Sequence, residues 1–201
     1  MAVFHLRDIA SIQIGLILAR KKAESRSSYI YKQLTLRSLE SDGINTEAIT
    51  SFCSTEPLQK EYISKAGTIV MKLSAPFNPI VITKKTEGYL IPSQMVIIEL
   101  KKSILAEYLR LYLSQDFVAE CLLANYFWIA QKAITVDSLS NLEVKVPSLK
   151  NQQAICDCYQ NYHHLCQLRK KLDKEEQAMM KYIFSVLSKD KEYNNDYQKR
   201  H

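Results

Sequence analysis

Glycine and proline are scarce in this chain, and neither occurs in its C-terminal quarter. The sequence holds four glycines and five prolines, and all of them lie within residues 1–147. Both residue types interrupt helices, so their absence from 148–201 favours one long helix there. We predict a turn-rich globular domain at 1–147, a long helix at 148–189 and a polar, frayed tail at 190–201.

Long apolar runs and disulfide-type cysteine patterns are missing as well. No stretch approaches the roughly 18 apolar residues of a membrane span, and Arg7 and Asp8 stand where a signal peptide would be apolar. The five cysteines are an odd set without a disulfide-framework spacing. The 201 residues suit one domain with an appendage. We expect a cytoplasmic protein without a membrane partner.

The common catalytic motifs are also absent. The spacing of the four glycines excludes a P-loop, a dinucleotide-binding loop and a nucleophile elbow, and no H-E-x-x-H occurs. Asn78-Pro79-Ile80-Val81 is the nearest string to the Asn/Asp-Pro-Pro-aromatic motif of amino-group methyltransferases, and it does not match. The four histidines are His5 near the start of the chain, the pair His163 and His164 in the predicted long helix, and His201 at the last position of the sequence. This distribution makes a Ser-His-Asp or Cys-His site improbable. We therefore predict a binding module with no catalytic residues and no cofactor of its own.

A zinc site is the one metal alternative that the sequence raises. Cys156 and Cys158 lie near His163, His164 and Cys166. Structural zinc sites prefer C-x2–4-C pairs in turns, whereas residues two apart on a helix point to different faces. We favour apolar filling and surface histidines here, and expect no metal.

The order of hydrophobic patterns predicts an α+β fold. Strand-like runs lie at 29–36, 68–73, 80–83 and 95–100, and a turn at 84–88 is predicted to lead into a short return strand at 89–91. They precede a segment at 104–113 whose apolar residues recur every three or four positions. A second short helix is predicted at 117–124, a brief extended piece at 134–136, a turn at 137–142 and a last strand at 143–147. We expect a mostly antiparallel, twisted sheet with flanking short helices, followed by one long coiled-coil helix.

The long helix carries a heptad-like seam. Apolar residues recur in steps of three and four, with Glu175 as the polar exception. A helix over 151–188 would be about 57 Å long, more than a domain of this size can cover. We predict pairing with a second copy or a different chain, with packing on its own domain as the alternative. The predicted dimerisation residues are Leu165, Leu168, Leu172, Met179, Tyr182 and Val186.

The order of motifs resembles the specificity (S) subunit of type I restriction–modification systems. Residues 6–15 are similar to the family segment L-x-D-I-A-x-I-x-x-G, and 67–74 with 88–93 are similar to its central strands and loop. Residues 104–117 are similar to the helix that follows. Residues 139–155 resemble the family pattern L-x-x-L-x-[IV]-x-[IV]-P-x-L-x-x-Q-x-x-I, which leads into the long helix.

The chain also departs from the family pattern. Thr68 stands where the family often has Asp, and Asn151 where Glu commonly precedes the Gln. A full specificity subunit has two target-recognition domains and two conserved helices, whereas this chain has one of each. It therefore resembles a half-length form.

The resemblance implies a function. Such subunits do no chemistry; each recognition domain reads half of a split DNA site, and paired helices set the spacer. They dock the modification subunits, which bind S-adenosylmethionine and methylate adenine, and through these the restriction subunits, which use ATP. A half-length form would restore this geometry as an antiparallel homodimer on double-stranded DNA. The alternative is an orphan half subunit that modulates an assembled complex by helix pairing without reading DNA.

Candidate DNA contacts are the basic and amide clusters of the predicted domain. The net charge is +6, and phosphate contacts use Lys, Arg and small hydroxyls, whereas base reading uses bidentate polar groups. For each cluster, the alternative is a solvated face, and Trp128 alone is more typical of a core. The candidates are Arg20, Lys21, Lys22, Arg26, Ser27, Ser74, Asn78, Lys84, Lys85, Tyr89, Gln94, Trp128, Gln131 and Lys132.

Overall fold

The chain forms two compact units, Met1–Cys156 and Asp157–His201. The structure is a computed structural model that describes residues 2–18, 29–41, 43–101, 104–124 and 133–198, the last range with its side chains as far as 188. Ten strands and five α-helices lie within these residues. The boundary between the units falls inside the last helix, so its first turns belong to the globular unit.

The elements follow the chain in an α+β order. The strands are β1 Ala2–His5, β2 Ala10–Ile14, β3 Tyr29–Gln33, β4 Leu39–Glu40, β5 Gly43–Ile44, β6 Thr50–Ser54, β7 Ile69–Lys72, β8 Ile80–Val81, β9 Met95–Leu100 and β10 Glu143–Val146. The helices are α1 Leu6–Ile9, α2 Ala106–Leu113, α3 Asp116–Leu123, α4 Val136–Ser140 and α5 Leu149–Gln198.

A four-stranded antiparallel sheet, in the order β2-β9-β7-β8, forms the centre of the globular unit. Its two middle strands are apolar on both faces because each face covers a different core. Val96 and Ile98 pack into a first core with α2 and α3, whereas Met95 and Ile97 pack into a second core with Leu34, Leu39 and Ile91. Side chains alternate between the faces of a strand, so one continuous apolar run supplies both cores.

Three two-stranded antiparallel sheets surround this centre over the described residues, pairing β1 with β10, β3 with β6, and β4 with β5. Helix α2 is attached to β10 by two tyrosines: the hydroxyl of Tyr108 donates to the carbonyl of Lys145 at 2.5 Å and that of Tyr112 to Glu143 at 3.1 Å. Burial raises the pKa of Tyr108, and the neighbouring Tyr112 and Cys156 raise it further.

Gly15 ends β2 because the backbone of another segment passes too close for a side chain. Its N–H donates to the carbonyl of Met95 at 3.0 Å. A Cβ at this position would lie 2.3 Å from the carbonyl oxygen of Pro92 and 2.4 Å from that of Ile91. The glycine that closes the first family-like motif therefore permits a close backbone approach.

The α+β class, the antiparallel sheet and the long C-terminal helix are confirmed. Three local predictions differ from the structure. The return strand expected at 89–91 is replaced by isolated bridges, because Leu90 N–H donates to Lys32 and Ile91 N–H to Tyr62 rather than to β8. Residues 136–140 form α4, since the Thr135 hydroxyl accepts from Ser138 N–H and caps a helical turn. Helix α5 continues to Gln198, past the end predicted at 189.

Within the globular unit, the side chain of Gln152 connects the first turn of α5 to the segment before α2. Gln152 is only 1% exposed. Its Oε1 accepts from the backbone N–H of Leu105 at 3.0 Å, and its Nε2 donates to the carbonyl of Pro147 at 2.9 Å. The glutamine of the fourth family-like motif thus connects the first residue before α2 to the loop that enters α5.

Helix α5 is largely polar in the part for which side chains are described. Within the described residues, no helix combines the length and apolar character needed to cross a membrane.

Candidate nucleic-acid interface

The two ends of the central sheet carry different candidate residues. Lys72 ends β7 opposite Met95, and the loop beyond it leads to β8. Ser74, Asn78 and Gln94 all lie at this end. Lys84 and Lys85 follow β8, whose Val81 pairs with the opposite end of β7. The sequence-predicted residues are therefore separated into two groups.

Ser74 and Gln94 are brought together by the backbone. Leu73 N–H donates to the Gln94 carbonyl at 2.9 Å, and Ser74 itself forms a bridge to Ala133. The side chain of Gln94 is exposed, and Ser74 is half-buried. This pair lies beside the loop that contains Asn78.

Lys84 and Lys85 are exposed on a turn closed by two threonines. Thr83 N–H donates to the Thr86 hydroxyl at 2.9 Å, and Thr86 N–H donates to the Thr83 carbonyl at 3.0 Å. Tyr89 is different: it is half-buried and packs against the second core. Packing accounts for Tyr89, whereas the two lysines are available to an anionic surface.

The other predicted contacts cannot be placed in the fold. Those that lie outside the described residues are Arg20, Lys21, Lys22, Arg26, Ser27, Trp128, Gln131 and Lys132.

An open cleft of about 890 Å³ adjoins the end of β7. Its walls come from the segment after β3, from β4, from the segment after β5, and from the loop between β7 and β8. The lining residues are Leu36, Arg37, Leu39, Glu40, Ser41, Asn45, Ala48, Lys72, Pro76 and Asn78.

Lys72 is the unusual residue of this cleft. It is only 8% exposed, and every residue of β7 is buried. Burial lowers the pKa of its ammonium group, and the attraction of Glu40 partly offsets this. Within the part of the chain that the structure describes, no hydrogen bond or ion pair to its Nζ is found. Lys72 is packed along its length and lines the open cleft without a bonded partner among the described residues, so it is a candidate for contact with an external anion.

The polar groups around Lys72 are held by hydrogen bonds. Asn45 Nδ2 donates to Glu40 Oε1 at 2.8 Å, while its Oδ1 accepts from Glu47 N–H at 3.0 Å. Asn78, at φ 40°, donates from Nδ2 to the carbonyl of Leu39 at 2.9 Å. The cleft is therefore bounded by oriented side chains on both sides.

Sequence reasoning selected Asn78 but not Lys72, Arg37 or Glu40. One signal was present: Lys72 is the polar end of the apolar run Ile69–Lys72. Alternation places it on the same face as Val70, which belongs to the second core. Which loops enclose that face depends on contacts distant in sequence.

The cysteine and histidine cluster of α5 is not arranged as a metal site. Cys156 is buried and Cys158 is exposed, as expected for two helical residues on different faces. Among the described residues, no group of three or more His, Cys, Asp or Glu side chains could hold a metal ion.

The predicted dimerisation seam is exposed to solvent. Its six apolar members, Leu165, Leu168, Leu172, Met179, Tyr182 and Val186, are 41% to 70% exposed. Apolar side chains in a repeated row with this exposure form a surface suited to a partner helix.

Two solved structures share the fold. One is a chain from a study of complex assembly and conformational transition of the type I R-M system; its identity is 16%, its TM-score is 0.63, and the match covers 90% of this chain and 43% of that chain. The other is the HsdS subunit from Thermoanaerobacter tengcongensis, at 12% identity and TM-score 0.65, covering 89% of this chain and 47% of that chain. The present chain thus spans less than half the length of either.

A search of curated proteins found no match. The family model described as "Type I restriction modification DNA specificity domain" matches residues 1–196, which include the globular unit and nearly all of α5. The resemblance found in the sequence is confirmed, and the chain belongs to the family of type I restriction modification DNA specificity domains.

Proposed function

We propose that this chain is a non-catalytic DNA-recognition subunit of a type I restriction–modification complex and reads one half of a bipartite site. The observation that carries the proposal is the family match over 1–196, because it includes a recognition-type globular unit and the helix that follows it. Exposed Lys84 and Lys85 and the polar cleft at Lys72 offer surfaces for phosphates and bases.

We further propose that two copies pair through α5 as an antiparallel coiled coil. The exposed seam supports this arrangement, because a row of half-exposed leucines gains most from a second helix of the same kind. A two-fold dimer would read an inverted-repeat site with a gap set by the helices.

The proposed complex divides the chemistry among its subunits. The modification subunit would dock on this chain, bind S-adenosylmethionine and methylate adenine, and the restriction subunit would join through the complex and use ATP. This chain would bring no cofactor, so its contribution would be position on DNA.

A second candidate function is modulation of an assembled complex by helix pairing alone. The exposed seam favours it as much as it favours the first, since helix pairing requires no DNA contact. The two candidates differ in whether the basic residues of the globular unit are needed.

Duplex binding tests the first candidate. The full chain, alone and with a co-expressed modification subunit, should bind duplex DNA with an affinity that falls steeply with salt, because Lys and Arg displace counterions from phosphates. Methylome sequencing of the host with and without the gene should show loss of one bipartite adenine-methylation motif. An unchanged methylome together with salt-independent binding would contradict the proposal.

Charge reversal separates the two candidates. The triple variant Lys21→Glu, Lys22→Glu, Arg26→Glu should abolish the methylation motif if the chain reads DNA, and leave it intact if the chain acts through helix pairing. A matched control is Lys60→Glu, Lys65→Glu, Lys150→Glu, which makes the same change in charge at exposed positions.

A further inference from the structure

We propose that the cleft around Lys72 receives one DNA backbone phosphate, with Lys72 as its cationic donor and Glu40 as the counter-charge that occupies the cleft in the absence of DNA. This inference rests on the proposed function and deepens it by assigning a positioning contact that fixes the register of the domain on the duplex.

The burial of Lys72 is the first support. Lys72 is only 8% exposed as a residue, so its aliphatic stem is packed, and the residue lines the open cleft. No described residue forms a hydrogen bond or ion pair with its ammonium group. An anion that enters the cleft would accept a charge-assisted hydrogen bond from this ammonium group.

The shape and charge of the cleft are the second support. The cleft of about 890 Å³ is open to solvent, and a backbone phosphate, which projects from the duplex, can reach it more readily than a base edge recessed in a groove. Arg37 is exposed and lines the same cleft, so the described lining holds two cations and one carboxylate. The Nδ2 of Asn78 already donates to the carbonyl of Leu39, so Lys72 and Arg37 are the cationic donors that the described lining offers.

Glu40 compensates the positive charge of Lys72 when no DNA is bound. Its carboxylate attracts the ammonium of Lys72, and Asn45 fixes its position through the 2.8 Å bond to Oε1. The turn before β4 is also held by a hydrogen bond: Ser38 is fully buried, and its hydroxyl donates to the Thr35 carbonyl at 2.8 Å. The carboxylate would repel an incoming phosphate, so its removal should favour binding.

The experiment measures duplex affinity as a function of salt for the full chain with the co-expressed modification subunit. The probes are a duplex that carries the motif found in the methylome and a shuffled duplex of the same length. Lys72→Met should weaken binding on the order of 10-fold on both probes, as loss of one charged hydrogen bond does, and should reduce the salt slope by about 1. Glu40→Gln should tighten binding of both probes at neutral pH.

A phosphate scan locates the contact. Single neutral methylphosphonates, placed in turn along the motif duplex, should weaken wild-type binding at one position per half-site where the Lys72→Met variant no longer responds. Lys65→Met is the matched control, because it removes an exposed lysine from a turn outside the cleft; it should leave the response at that position intact.

The outcomes separate this inference from the proposed function. If the wild-type chain distinguishes neither probe and supports no methylation motif, the proposed function fails and the inference with it. If the wild type reads its motif but Lys72→Met binds with unchanged affinity and salt slope, the inference alone is wrong. A Lys72→Met or Glu40→Gln variant that selects a different motif would also overturn it, because base reading would then replace phosphate contact.

Thermal unfolding provides the check on folding. Lys72→Met replaces the ammonium group of a largely buried residue by an apolar side chain of similar length, so the variant should unfold at the wild-type temperature or above it. A lower unfolding temperature would mean that Lys72 has a structural role, and the Glu40→Gln result would then decide: tighter binding supports the phosphate contact, and unchanged or weaker binding overturns it.

Discussion

The side chain of Gln152 accepts a hydrogen bond from the backbone N–H of Leu105 across 47 positions of sequence, at 3.0 Å. Leu105 is the residue that precedes α2, so its N–H lies near a helix start, where no intrahelical acceptor is available. The same glutamine donates to Pro147, and it therefore joins α2, the loop after β10 and α5.

Replacing Gln152 by Leu should destabilise the globular unit. The change leaves the N–H of Leu105 and the carbonyl of Pro147 without their partner, at a cost of about 2–4 kcal/mol in the free energy of unfolding. Urea denaturation measures it, and Gln153→Leu, the same change at the exposed neighbouring position, is the control. Equal losses for the two variants would show that the buried contacts contribute little.

Replacing Gly15 by Ala should be more costly than replacing Gly67 by Ala. At Gly15 the new Cβ would lie 2.3 Å from a backbone oxygen that cannot move without disturbing β9, so we expect a loss of about 2 kcal/mol or more. Gly67 has open space but a φ of +87°, where the cost is backbone strain of about 1 kcal/mol. The urea midpoints of the two variants measure these losses of stability. A lower midpoint for the Gly67 variant than for the Gly15 variant would contradict the prediction.

Placing charge on the seam should separate the proposed dimer. Leu168→Glu with Leu172→Glu puts two carboxylates on each helix in the row that would face its partner, where burying a charge is unfavourable. Light scattering should report the mass of a monomer. Gln167→Glu with Lys170→Glu, at positions outside the seam, should retain the wild-type mass; an unchanged mass for the leucine variant would rule out pairing through this row.

The stability difference between wild type and Lys72→Met should depend on pH. Burial lowers the pKa of Lys72 in the folded state, so the folded protein loses this proton before the unfolded chain does. The unfolded chain then binds more protons, and wild-type stability rises with pH between the lowered pKa and the ordinary value of 10.5. Among the described residues, Glu40 and Arg37 are the other charged groups that line the same cleft.

Denaturation of both proteins by urea from pH 7 to pH 10.5 checks this prediction. Contributions from other groups cancel in the difference, so wild type should gain on Lys72→Met as the pH rises. A constant difference would indicate that the ammonium of Lys72 is well solvated in the folded state.

Local patterns were sufficient for much of the fold. The run that ends at Leu100 alternates between two apolar faces, and it forms β9 as predicted. The helical spacing after Ile104 forms α2. A return strand was predicted at 89–91 because Leu90 is apolar and typical of a strand. The prediction was wrong because the backbone partners of Leu90, Lys32 among them, lie in segments other than β8. Local composition specifies extended backbone, but it does not specify which segment pairs with it.

The candidate site shows the same division. Lys84 and Lys85 were selected from a turn pattern, and the turn places both in solvent. Lys72 was not selected, because a lysine at the end of an apolar run has the composition of a strand terminus. The cleft that it lines is formed in part by Arg37, Glu40 and Asn45, which lie in segments distant in sequence.

The sequence by itself determined the family, the α+β class and the exposed seam of α5, because each depends on motifs or periodicities that are local. Only the tertiary structure decided that Gly15 permits a close backbone approach, that Gln152 joins three elements and that Lys72 is buried in a cleft. These are contacts between segments far apart in the chain, and their energies depend on which atoms folding brings within a few ångströms of one another.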